Sequence, residues 1–370
     1  MKEFMERIAS LRSENSAKKL DAMLVSKLEN VRYLTGFAGS TGYLVVDSKK
    51  TTIFVDFRYV EQVKKETKNV EIVRTGRSQI ADVCEFIKKN KYKKIGFEAD
   101  SFSVSRLAAF EGALPKIVKM TATSGAVEQI RMVKSKGEIK LIQKAVDLAD
   151  VTFYEMVSNA KENFIGKSES EVAAKLEYYM KVGGAQCPSF ESIVAFDKNS
   201  AFPHYKPVPE VIVRAKDKKA GSGSFLKLDF GAKLNGYCSD MTRTIFVGKP
   251  SQKHLDIYKI VLEAQLTAIA KARPGMTGME IDALARNVIA KHGYGDYFGH
   301  GLGHGVGLEI HEAPTVSSEG RIVVRENMVF TIEPGIYLPG FGGVRIEDMV
   351  VMGKNGCKIM TRSPKEVIII

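Results

Sequence analysis

Residues 224–248 read SFLKLDFGAKLNGYCSDMTRTIFVG. An apolar run leads up to Asp229, the stretch Lys233-Leu234-Asn235-Gly236 supplies a turn, and a second apolar run follows Asp240. Asn-Gly between two such runs is a strong hairpin signal. Folding the strand back about Leu234–Asn235 sets Asp229 opposite Asp240. A register shifted by the Asn-Gly turn leaves the two as diagonal neighbours. Two carboxylates side by side repel, and one inside an apolar run is costly without a partner. Something positive should sit between them. Arg243 could satisfy one Asp while the other faces solvent, or a bound cation could satisfy both.

Residues 328–350 repeat the device. The strand MVFTIE (328–333) is followed by the loop PGFGG (339–343) and the return strand VRIEDMV (344–350). Folding about Gly340 places Glu333 opposite Glu347. Two hairpins thus offer four carboxylates, and a cluster of charge −4 is balanced by two divalent cations. Carboxylate-rich ligation favours a hard or borderline ion such as Mn²⁺ over a thiolate-type zinc site. Between the hairpins lies FGHGLGHGVGLEIHE (298–312), whose glycines let the backbone approach closely. One of its histidines can complete the metal set. The spacing is not H-E-x-x-H, which excludes a helix-borne zincin site. A phosphate-cradling loop needs a strand before, a helix after and a Lys-Ser or Lys-Thr pair, and these are missing.

Outward from these motifs, the 370 residues are 44% apolar and 26% charged, which suits a globular protein of two domains and excludes disordered and fibrous classes. No window approaches a membrane span. The N-terminus, MKEFMERIASLRSENSAKKLD, reads as an amphipathic helix rather than a secretory signal, so a cytoplasmic location is expected. Four cysteines without a C-x-x-C pair make a disulfide scaffold or zinc knuckle improbable. The net charge of +12 divides into +8 over residues 1–133 (24 basic, 16 acidic) and +4 over 134–370 (31 and 27). The lysines are scattered in pairs without interleaved aromatics, which indicates a lysine-rich surface and no nucleic-acid partner.

The first 130 residues alternate short strands (22–25, 42–46, 52–55, 94–97) with helices (59–68, 78–89), an α/β pattern. A boundary near Met132–Glu138 divides the chain into domains 1–133 and 134–370. Helices are expected over 135–163, 169–182, 252–272 and 278–291, and Lys216–Gly223 reads as an exposed loop.

The motifs together resemble the proline-specific pita-bread metallopeptidases, Xaa-Pro dipeptidase (prolidase) and aminopeptidase P. The resembling stretches are FESIVAFDKNSAFPH (190–204), LDFGAKLNGYCSDMTRTIFVG (228–248), FGHGLGHGVGLEIHE (298–312) and TIEPGIYLPGFGGVRIED (331–348). NVRYLTGFAGSTGYLVV (30–46) and FVDFRYVEQV (54–63) resemble the creatinase-type amino domain. The resemblance implies a creatinase-like α/β domain over 1–133 and a pita-bread catalytic domain over 134–370. It implies two divalent ions, Mn²⁺ with Co²⁺ or Zn²⁺ as alternatives, held by Asp229, Asp240, His304, Glu333 and Glu347. The resemblance further implies that such ions would activate a water toward the scissile carbonyl and that Glu333 would shuttle the proton. His204 and His311 are implied to stabilise the reacting carbonyl, Arg345 to hold the geometry and take part in turnover, and His300 and Tyr337 to lie near the proline side.

The implied reaction cleaves the bond before proline, in small peptides with proline second. A tertiary amide has no N–H and a fixed φ, so it fits poorly in a cleft that reads extended backbone. The shared motifs do not separate dipeptidase from aminopeptidase P. Methionine aminopeptidase shares the ligand pattern but generally lacks such an amino domain. Creatinase shares the fold without the ligands, and a non-catalytic module binding protein or nucleic acid would be expected to have lost ligands. The family also implies a homodimer.

Overall fold

The first hairpin turns where its sequence is most permissive. Asn235 and Gly236 have φ of +52° and +81°, the double left-handed geometry of a two-residue hairpin turn. The turn is therefore centred between Asn235 and Gly236, one residue later than a fold about Leu234–Asn235. As a result Asp229 pairs with Thr242, and Asp240 sits diagonally across. In the second hairpin Gly335 pairs with Arg345 and Ile332 with Asp348, a register that carries Glu333 opposite Glu347 as predicted.

The structure, a computed structural model, describes residues 2–214 and 223–370, so the predicted loop Lys216–Gly223 lies outside the described residues except for Gly223. The chain forms two units, Met1–Arg131 and Met132–Ile370. The first is a mixed six-stranded sheet in the order 71–74, 51–55, 43–47, 22–25, 94–98, 119–123, flanked by helices. Its central hairpin turns at Asp47, whose carboxylate accepts the amides of Lys49 and Lys50, each at 2.6 Å. Ala22, Leu24, Val45, Phe54 and Ile95 bury its core against the helix Gln79–Lys89. Sequence periodicity does not reveal the outer strands Glu71–Arg74 and Lys119–Thr123 or the helix Val104–Ala113. The strands are half exposed, and the helix buries only Phe110.

In the second unit, capping boxes at Ser135/Glu138, Ser168/Glu171 and Thr277/Glu280 start helices Lys136–Ser158, Glu169–Val182 and Gly278–Lys291. The predicted helix 135–163 breaks at Asn159. The Asn163 amide then caps it, donating to the carbonyls of Glu155 and Met156 at 3.0 Å each. Helices Lys136–Ser158 and Glu169–Val182 pack Phe153, Met156 and Leu176 onto the sheet Ile193–Phe196, Ser224–Phe230, Met241–Val247. Helices Gln252–Lys271 and Gly278–Lys291 share a second core with Phe330, Ile332, Val344 and Val350. Each such buried side chain contributes about 1.5–3 kcal/mol. The carboxylate-bearing strand ends lie between these two cores.

Candidate metal centre

His304 reaches the carboxylates because its neighbours are glycines. A Cβ on Gly303 would lie 2.0 Å from the Thr331 carbonyl oxygen, and one on Gly305 would lie 2.2 Å from that of Ala313. Only Gly-His-Gly lets the strand Gly303–Gly305 squeeze between Glu312–Val316 and Val329–Ile332. His304 Nδ1 donates to the Gly305 carbonyl at 3.1 Å, which leaves the Nε2 lone pair for the cluster. That lone pair lies 3.5 Å from Asp240 Oδ2 and 3.4 Å from Glu333 Oε1. Ligand atoms of Asp240, His304 and Glu347 all fall within 4.8 Å of one another.

One cation answers four acids. Arg345 pairs with Asp229 through Nη2 and approaches Glu333 Oε2 to 3.9 Å through Nε. Arg243 does not serve as the alternative partner, because its neighbour Thr242 is the residue paired with Asp229. Strand alternation sends Arg243 to the opposite face, where it meets Asp348 at 2.7 Å. The Thr242 hydroxyl accepts from Arg345 Nε at 2.9 Å and donates to Glu347 Oε2 at 2.7 Å. Asp229 Oδ1 and Glu347 Oε1 are buried without a hydrogen-bond partner.

Burial, with Glu347, Asp229 and Glu333 close by, holds Asp240 well above the carboxylate range. Burial likewise raises Glu347, with Glu333 and Asp229 adding to it. Glu333 is pushed up to about 7 by burial, against the pull of Arg345. A cluster of acceptors with orphaned oxygens and an unprotonated imidazole nitrogen is a donor set without an acceptor of its charge. Oxygen-rich ligation with one imidazole fits divalent cations of hard or borderline character.

Around this cluster opens a cleft of about 730 Å³, whose walls include His204, Asp229, Asp240, His300, His304, His311, Glu333, Arg345 and Glu347. Of the predicted residues only Tyr337 is not part of the wall. Its hydroxyl accepts from Arg345 Nη1 at 2.9 Å and meets His300 Nε2 at 2.8 Å. Because His300 Nδ1 donates to the Gly301 carbonyl, Nε2 is the acceptor of the Tyr337 proton. Burial lowers His300 to about 3, so the ring is neutral at physiological pH. His311 is exposed and lies edge-on to His304, with ring centroids 4.3 Å apart. His204 is exposed.

Several residues here escape a reading of motifs. Thr331 accepts from the His304 amide and donates to Glu333 Oε1, both at 3.1 Å. Asp282, buried on helix Gly278–Lys291, holds Arg286, whose Nη2 donates to the His300 carbonyl at 2.7 Å. Lys227, two residues before Asp229, is fully buried. A lysine inside an apolar strand was the visible signal for it.

The profile of metallopeptidase family M24 matches residues 140–354, and that of the creatinase/prolidase N-terminal domain matches residues 7–133. A relative from Pyrococcus furiosus named Xaa-Pro dipeptidase is 40% identical over 369 residues, covering all of both chains. Among solved structures, an Xaa-Pro dipeptidase from Bacillus anthracis matches with a TM-score of 0.93 and 42% identity, covering 99% of this chain and 100% of the other. An X-Pro aminopeptidase from Thermotoga maritima matches with a TM-score of 0.86 and 36% identity over 95% and 98% of the two chains.

Proposed function

The chain belongs to metallopeptidase family M24, with the creatinase/prolidase N-terminal domain, and from that premise we propose that it is a metal-dependent exopeptidase acting on Xaa-Pro bonds, with Xaa-Pro dipeptides as its substrates. The observation that carries the reading is the cluster of four carboxylates and the His304 lone pair around a single guanidinium, with two orphaned oxygens. We assign Asp229, Asp240, His304, Glu333 and Glu347 as ligands of two divalent ions, Mn²⁺ before Co²⁺ or Zn²⁺. Bound there, the ions supply Lewis acidity and make water nucleophilic at neutral pH.

The protein's own groups do the rest. Glu333, oriented by the Thr331 hydroxyl on its Oε1, would take a proton at its carboxylate and return it to the departing proline nitrogen. His204 and His311 donate to the scissile carbonyl oxygen as charge develops on it. Arg345 fixes Asp229 and, through Thr242, Glu347. The neutral His300 and the Tyr337 behind it line the proline side. Residues 134–370 carry this whole site, with 1–133 as the separate amino domain.

A second reading, as an aminopeptidase, draws on the match to the X-Pro aminopeptidase of Thermotoga maritima. Among the described residues no helix is long and apolar enough to cross a membrane. The proposed setting is a cytoplasmic homodimer. The test is a parallel assay of Ala-Pro, Ala-Pro-Ala and a longer Xaa-Pro peptide, with Mn²⁺ and with chelator. The reading expects metal-dependent release of the first residue, fastest from the dipeptide. Faster release from the longer peptides would make the enzyme an aminopeptidase, and no cleavage with Mn²⁺ would refute both.

A further inference from the structure

The exposed His204 ring makes no hydrogen bond to any described residue. Its backbone alone sets its place in the cleft, and two buried side chains hold the segment that carries it. Before His204, Lys227 Nζ donates to the carbonyls of Ser200 (3.2 Å), Phe202 (2.5 Å) and Pro203 (3.4 Å). Arg345 Nη1 adds a second donor to Pro203, at 3.2 Å. Glu169, which opens the helix Glu169–Val182, reaches the segment both before and after His204. Its carboxylate accepts from the Phe196 amide (2.7 Å), the Asn199 side chain (3.1 Å), the Tyr205 hydroxyl (2.8 Å) and the Val208 amide (3.4 Å).

Both side chains are completely buried. Among the described residues no carboxylate makes a salt bridge to Lys227, whose Nζ lies 5.2 Å over the Tyr337 ring; burial and the nearby Arg345 hold its pKa well below the usual lysine range, against the more distant pull of Asp229. A lysine amine buried with only backbone carbonyls in hydrogen-bond reach is expensive to place there. Nothing in the strand Ser224–Phe230 requires it, since an aliphatic residue would fill the same position. What these two groups share is the segment 196–208, with His204 near its centre.

We propose that Glu169 and Lys227 are positioning residues that clamp segment 196–208 and so hold the His204 imidazole in the cleft. The inference rests on the reading of His204 as a donor to the reacting carbonyl. The buried side chains supply what an exposed histidine lacks: a backbone that stays in place while its ring remains free to meet substrate.

The experiment compares Lys227→Met and Tyr205→Phe, each alone and combined with His204→Ala, in the Mn²⁺-loaded protein with Ala-Pro as substrate. Lys227→Met is expected to lower kcat about 10–100-fold with KM changed less than about threefold. In the His204→Ala background the same change should cost under about twofold, because the group being positioned is gone. Tyr205→Phe removes the hydroxyl that donates to Glu169 and accepts from the Asn199 side chain at 2.6 Å, both contacts of the same segment, and should lower kcat about three- to tenfold with the same non-additivity.

A second readout needs no turnover. In chelator-treated protein, amide hydrogen exchange across 196–208 should speed up about tenfold in Lys227→Met, while strands 224–230 and 241–247 are unchanged. Equal losses in both backgrounds, or unchanged exchange, would overturn the proposal. Should Lys227→Met fail to fold, Tyr205→Phe carries both measurements. Should the wild type cleave no Xaa-Pro peptide, the functional reading fails and hydrogen exchange alone decides the clamp.

Discussion

Glu347 and Asp348 are neighbours in sequence and both buried, yet Glu347 meets Thr242 while Asp348 meets Arg243, two residues whose side chains leave opposite faces of their strand. Their surroundings could hardly differ more. Asp348 receives Arg243 at 2.7 Å, Lys365 at 2.5 Å and Gln265 at 2.8 Å. Burial pushes its carboxyl up, but Arg243 and Lys365 outweigh burial and hold it below the usual range. Glu347 has one hydroxyl on Oε2, nothing on Oε1, and acids for neighbours. This fold therefore satisfies a buried acid fully where the acid is structural. The deficit one residue away is what the proposed cation site would fill.

The sharpest way to break that contrast is Asp240→Asn. It removes a charge from the under-compensated face, and should cut activity by about 10⁴-fold or more through loss of metal while the fold persists. Steady-state kinetics and circular dichroism check this. Wild-type turnover by the mutant, or by the wild type in chelated buffer, would contradict it.

The two adjacent acids should also respond oppositely in the metal-free protein. Asp348→Asn strands Arg243 and Lys365 and should cost about 3–5 kcal/mol. Glu347→Gln relieves like-charge crowding and should be neutral or stabilising by about 1 kcal/mol. Denaturant unfolding measures both, and equal losses would erase the distinction.

A smaller effect concerns pH. Glu333 is raised from 4.5 to about 7 in the folded state, so the folded protein holds a proton that the unfolded chain releases. Its contribution is present in full below about pH 4.5 and fades as pH rises to 7. Metal-free protein should thus lose about 2–3 kcal/mol of stability over that window. Metal-loaded protein, in which cations replace the proton, should not. Thermal melts from pH 4.5 to 8, with and without Mn²⁺, test the sign.

Much of the site is legible in the sequence because β-structure converts spacing into position. Once Gly340 is taken as the turn, Glu333 must face Glu347. The first hairpin shows the limit of such reasoning. A turn misplaced by one residue changes the pairing of Asp229 from Asp240 to Thr242, although both remain on one face. Which arginine compensates which acid also depends on strand parity: Arg243 and Arg345 look equivalent in sequence yet serve opposite faces. The clamp on His204 was hidden for another reason. Glu169 and Lys227 belong to different elements, and only tertiary packing brings them to the same loop. In the first unit the edge strands were missed because half-exposed strands carry little apolar alternation.

The most direct test is to strip the protein with chelator and titrate it with Mn²⁺ by calorimetry at pH 7.5. Two equivalents bound per chain, with a rise in melting temperature and the appearance of Ala-Pro hydrolysis, are predicted. A chain that binds no ion, or that hydrolyses Ala-Pro equally well while stripped, would show that the acids around His304 serve some other purpose.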